Sequence, residues 1–166
     1  MDFIKKNLLA IIVAGAAVVA LILGLVLSGA TAEVLGETAK VDMADLLFGV
    51  KEETMGAKMT GGVSIFGLIS LIALVAGLAL TVVSIFVEDK NFDLIGAGLI
   101  ALAGVLMFLL LTAGTGFKQS FGEMSSTIKF AEVYEGFKLG AGAILYAIIA
   151  IIGGGFGVLN KFVKII

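Results

Sequence analysis

Four stretches of this chain, Leu8–Leu27, Val63–Val87, Leu94–Ala113 and Leu139–Leu159, contain no Asp, Glu, Lys, Arg or His. Each meets the roughly 20 apolar residues that carry an α-helix across a hydrocarbon core of about 30 Å. Inside lipid no water reaches the backbone, so each N–H and C=O must pair within its own segment, which selects helices. A transmembrane barrel would instead show ~10-residue segments of alternating polarity, and these runs do not alternate. The expected fold is therefore all-α: a single domain over 1–166 built as a four-transmembrane-helix bundle. Its helices fall at about 8–28, 63–87, 94–113 and 137–160, with a large first outer loop (29–62) and a smaller second one (114–136).

Composition narrows the function classes. The chain is 60% hydrophobic and 14% charged, where a soluble domain carries about a quarter charged residues. A net charge of −2 lacks the basic footprint of a nucleic-acid binder. Cys and His are absent, which removes disulfides, thiolate chemistry, the commonest general base and the commonest metal ligand. No catalytic, metal or cofactor site is expected, and the chain reads as a non-enzyme. The carboxylates Glu33, Glu37, Asp42, Asp45, Glu52 and Glu53 lack the spacing of an EF-hand and read as solvated loop charge. Abundant Ile, Lys and Phe without Arg or Trp point to an AT-rich bacterial genome.

The first run needs a second reading. Lys5 and Lys6, an apolar stretch and then Ala30-Thr31-Ala32 also outline a secretory signal. The stretch exceeds the usual 7–15 apolar residues of such a signal, so a retained helix is expected. Lysines near the helix ends set orientation. Lys5, Lys6, Lys90, Lys161 and Lys164 share one side, which places both termini in the cytoplasm of a plasma-membrane protein.

The loops carry local helical signals. Asp42 is a candidate N-cap before Met43, Leu46, Leu47 and Val50, whose i, i+3, i+4, i+7 spacing predicts a short helix. Phe130, Val133, Tyr134 and Phe137 repeat that spacing, with Ser125 or Ser126 as cap. That pattern would start the fourth helix well before its apolar run, with a strand through Ile128 and Phe130 as the alternative.

Small residues recur at helical spacing within the spans: Ala16, Ala20, Gly24 and Ser28; Ser70, Ala73, Gly77, Thr81 and Ser84; Ala97, Ala101 and Gly104; Gly140, Ala143, Ala147, Ala150 and Gly154. Lipid tails are as apolar as Leu, so membrane helices associate through close backbone approach, which small residues permit. These stripes serve packing within one bundle, or one of them meets a neighbouring copy. Gly153-Gly154-Gly155 and Gly157 read as close packing, with a hinge as the alternative. Ser64, Ser70, Thr81, Ser84, Thr112 and Tyr146 are the polar side chains of the spans, and Ser or Thr can bond its own i−4 carbonyl. Tyr146 cannot. It stands seven residues inside Leu139, as Ser70 stands seven inside Val63, so the two are expected at one depth as a buried pair.

The layout of cytoplasmic termini, large first outer loop, short inner turn at Glu88-Asp89-Lys90-Asn91 and smaller second outer loop resembles the claudin and peripheral-myelin-protein type of tetraspan. The resemblance spans the chain and rests on topology. That family's first loop carries a Trp-Gly-Leu-Trp-type motif and a Cys pair; with no Trp or Cys here, no functional residue carries over. What it implies is lateral self-assembly or adhesion through the outer loops. The expected partners are the lipid bilayer, further copies of the chain or other membrane proteins. The expected role is structural, with an accessory subunit of a larger complex, or an oligomeric pore or lipid-handling protein, as the alternatives.

Overall fold

The computed structural model describes residues 4, 7–34, 36–54, 57–87, 90–121 and 124–163. Lys5, Lys6 and Lys164, which help set the orientation, lie outside the described residues, as do Glu88 and Asp89 of the inner turn. In chain order the elements are α1 (Leu8–Val26), β1 (Ser28–Val34), β2 (Glu37–Asp42), α2 (Met43–Phe48), β3 (Val50–Thr54) and β4 (Ala57–Gly61). They continue with α3 (Ile65–Val87), α4 (Lys90–Met107), β5 (Phe117–Phe121), β6 (Met124–Ile128), α5 (Phe130–Val133), β7 (Lys138–Leu139) and α6 (Ala141–Val163).

This corrects the all-α four-transmembrane-helix bundle. The fold is mixed, 63% helical and 24% strand, with two antiparallel sheets. The first stretch expected as a loop is largely sheet, and the second contains two strands. The first sheet has the order β2-β1-β7 and the second β3-β4-β5-β6. Their strands are short and rich in Gly, Ala, Ser and Thr, so little alternation marks them, and β1–β7 and β4–β5 join residues far apart in sequence. Local periodicity cannot report such pairings.

The helix count is corrected as well. Among the described residues only α1, α3 and α6 are long and apolar enough to cross a membrane. The run expected as a helix over 94–113 begins at Lys90, carries Asp93 in its first turn and ends at Met107. Beyond it the backbone tightens into i→i+3 bonds, from Phe108 N–H to Val105 O on to Thr112 N–H to Leu109 O.

The short helix after Asp42 is present, without a side-chain cap bond, and stops at Gly49 (φ 83°). A positive φ is cheap only for Gly, so the chain turns there and Val50 enters β3 instead of extending the helix. Ser125 and Ser126 lie in β6 and cap nothing. Phe130–Val133 forms one turn, Gly136 (φ 84°) breaks it, and α6 begins only at Ala141.

The long helices pack antiparallel, α1 on α6, α6 on α4, α4 on α3, with a lighter contact from α3 back to α1. Because β1 follows α1 and pairs with β7, which precedes α6, the Leu8 and Val163 ends of those helices share the end opposite the sheets. β4 leads into α3 and pairs with β5, which follows α4, so the second sheet also stands at the β1 end. A bridge between Ser64 and Gly114 ties the start of α3 to the segment between α4 and β5.

Candidate functional site

The helix surfaces are sorted mainly by size, with Val13, Leu74, Ile100, Met107 and Tyr146 as the large side chains among the buried ones. Small residues turn inward: Ala17, Ala20, Ala97, Ala103, Ala143, Ala147 and Ala150 are fully buried. Large aliphatics turn outward, among them Ile11, Ile22 and Val26 on α1, Ile72 and Val75 on α3, and Ile148 and Ile152 on α6. A water-soluble bundle has the reverse order, because water drives its largest apolar side chains into the core.

Each stripe turns towards other parts of the same chain. A Cβ on Gly24 would lie 2.8 Å from the Tyr146 ring, and one on Gly153 would lie 2.5 Å from Ala16 Cβ. On Gly77 it would meet Gly96 O at 2.7 Å, and on Gly104 it would meet Ala147 O at 2.6 Å. Gly154 presses on Ala101 N and Ala97 O, and Gly157 on Ala97 and Val13. The glycine cluster of α6 therefore packs against both α1 and α4. Ala73 is buried on the same face of α3 as Gly77. Ser28 and Gly140, the ends of two stripes, meet at the junction of the first sheet with α6, where Gly140 N–H donates to Gly29 O at 2.8 Å.

Within this interior the structure brings Ser70 and Tyr146 together, both buried. Ser70 Oγ lies 2.7 Å from Ala103 O and 3.1 Å from Tyr146 Oη, and Tyr146 Oη–H donates to Ser70 O at 3.2 Å. The group thus links α3, α4 and α6. Ser64 Oγ–H donates to Leu110 O and accepts from Gly67 N–H at 3.0 Å, capping α3. Thr81 and Ser84 return to the backbone of their own helix, at Gly77 O and Thr81 O. Beside Tyr146, under α2, a gap of about 10 Å³ is lined by Leu21, Gly24, Met43, Leu71 and Met107, room for one water-sized probe and no more.

Within the outer layer, rings join β5 to α5 and the segment after it. Phe117 of β5 stacks on Phe130 at 6.3 Å, Phe130 meets Tyr134 tilted at 4.7 Å, and Tyr134 meets Phe137 edge-on at 5.3 Å. Gly62 (φ 80°) lies against the Phe117 ring where a Cβ would clash. Burial, with the Asp45 charge second, pushes the Tyr134 phenol up to about 12.

Strand register sorts the second sheet into two faces. Lys51, Lys58, Lys118 and Glu53 share one, with Lys58 Nζ 3.2 Å from Glu53 Oε1. The other is buried at Phe117; a trough of about 740 Å³ at the distal end is lined mainly by its Glu52, Met59, Gln119, Phe121, Met124 and Ser126, with Lys58, Ser120 and Ser125 of the first face also contributing. Phe121 and Met124 at its rim are 68% and 81% exposed. No local pattern marks this trough, which forms through the pairing of β4 with β5. Among the described residues no three carboxylates approach closely enough to hold a metal ion. No protein-family model, curated protein or solved structure matches the chain.

Proposed function

We propose that the chain is an integral protein of a bacterial plasma membrane, with its apolar helices in lipid and both sheets in water on the outer side. It acts there as a self-assembling structural or adhesion component, without catalysis or cofactor. The observation that carries this is the size sorting of the helix surfaces. Large aliphatics on the outside and small residues within suit lipid as the solvent, and α3, at 23 residues, spans about 34 Å at 1.5 Å per residue. Both termini are assigned to the cytoplasm from the lysines, consistent with the shared end of α1 and α6. Of the claudin-type resemblance we retain the idea of lateral assembly through the outer layer.

The test uses the absence of native cysteine. Glu53→Cys should react with a membrane-impermeant maleimide in intact cells, and Asn160→Cys only after permeabilisation. Outside labelling of Asn160→Cys, or none at Glu53→Cys, would overturn the orientation. The accessory-subunit alternative predicts foreign chains co-purifying in mild detergent, where self-assembly predicts copies of one chain.

A further inference from the structure

The self-assembly reading leaves open which surface meets the next copy, and the helix stripes are already occupied within the chain. We infer that the outer edge of β6 of one copy receives the outer edge of β3 of the next, continuing the second sheet head to tail. The inference rests on the reading that copies associate in one membrane.

Three observations lead there. First, a four-stranded antiparallel meander has edge strands that run in opposite directions. Here β3 leaves the helices and β6 returns to them, since Val50, Gly61, Phe117 and Ile128 align at the base. A second copy standing the same way up in the membrane therefore offers its β3 antiparallel to β6, with sheet faces matched. Pairing β6 with β6 antiparallel would turn one copy over.

Second, the edges are complementary in hydrogen bonding and oppose no like charges. Continuing the observed register sets Ile128 opposite the next copy's Val50, Ser126 opposite its Glu52 and Ser125 opposite its Glu53. Each carboxylate faces a hydroxyl that can donate to it, and none faces another carboxylate. Pairing β3 with β3 about its centre would oppose two copies of Glu52, which is unfavourable. Third, Ser125, Ser126 and Thr127 are exposed and uncharged. An open edge is normally blunted by charge, Pro or a bulge, and β6 has none of these within its length.

The repeat also fits the helices below. Four strands about 4.8 Å apart repeat every ~19 Å, and two helices at 8–10 Å occupy about 16–20 Å. Neighbouring strands are rotated by about 20–25°, so a straight row of unrotated copies would force the sheet flat. A ring about the membrane normal keeps both the twist and the common membrane, with tilted strands coiling round one axis as in a barrel.

The experiment pairs cysteines in the full chain, in native membranes. Glu52→Cys with Ser126→Cys, and Glu53→Cys with Ser125→Cys, test two adjacent positions, one of which is a non-hydrogen-bonded pair with closer side chains. Within one chain these positions are three strands apart, about 14 Å, too far for a disulfide. Differently tagged Glu52→Cys and Ser126→Cys chains, or the second pair, should cross-link on oxidation, while each single variant stays uncross-linked. Both cysteines on one chain should give a ladder that ends at a fixed number of copies. Cross-linking of Ser126→Cys to itself would overturn the contact, and an unending ladder would overturn the ring. Oligomers by native mass with neither pair cross-linking would overturn this contact and leave self-assembly standing; monomers would overturn both. Ser126→Glu, which would set a second carboxylate opposite the next copy's Glu52, should lower oligomer size without lowering thermal stability, and unchanged size would also count against the contact.

Discussion

Among the described residues Tyr146 is the largest fully buried side chain, and its hydroxyl lies within a helix long and apolar enough to cross a membrane. An unpaired phenol there costs about 1–3 kcal/mol, so the sequence could place it only beside another polar group. Depth counting singled out Ser70, but depth says nothing about rotation, and the further acceptor at Ala103 O was not legible. Interhelical hydrogen bonds in membranes average about 0.6 kcal/mol. Tyr146→Phe and Ser70→Ala should therefore each destabilise by about 0.5–1.5 kcal/mol, and the double variant by less than their sum. Unfolding in mild detergent by denaturant titration measures the cycle; strict additivity would mean the two hydroxyls do not act together.

At the scale of elements, the helices were legible because lipid-length apolar runs and small-residue spacing are local signals. The strands were not. Ala57–Gly61 has little alternation to show, and β4 acquires its meaning from Phe117–Phe121, paired across an intervening helical hairpin. The third expected helix, over 94–113, was overextended because apolar residues continue through Ala113 while the backbone leaves the α-helix at Met107. The stripes were legible as packing surfaces, but only the fold shows which helix each one meets. Gly104→Val should therefore be costly, by about 1–3 kcal/mol for an overpacked interface, because its Cβ would press on Ala147 O. Gly155→Ala, with nothing within 4 Å of a new Cβ, should be neutral or slightly stabilising. The same unfolding assay separates them, and equal effects would mean that α4 and α6 do not approach as closely as described.

For the whole molecule, the proposed membrane setting implies two solvents: lipid around the outward aliphatics of the helices, and water around the sheets at one end. Charge follows the same division, with Lys51, Lys58 and Lys118 on the sheet and no charged residue in Ile65–Val87. Spin labels at Ile72→Cys on α3 and Ser125→Cys on β6, in the protein reconstituted in bilayers, read both solvents at once. Collision with oxygen should dominate at position 72, and collision with a water-soluble nickel chelate should dominate at position 125. A label at position 72 that meets the chelate as freely as the one at 125 would contradict the membrane assignment itself.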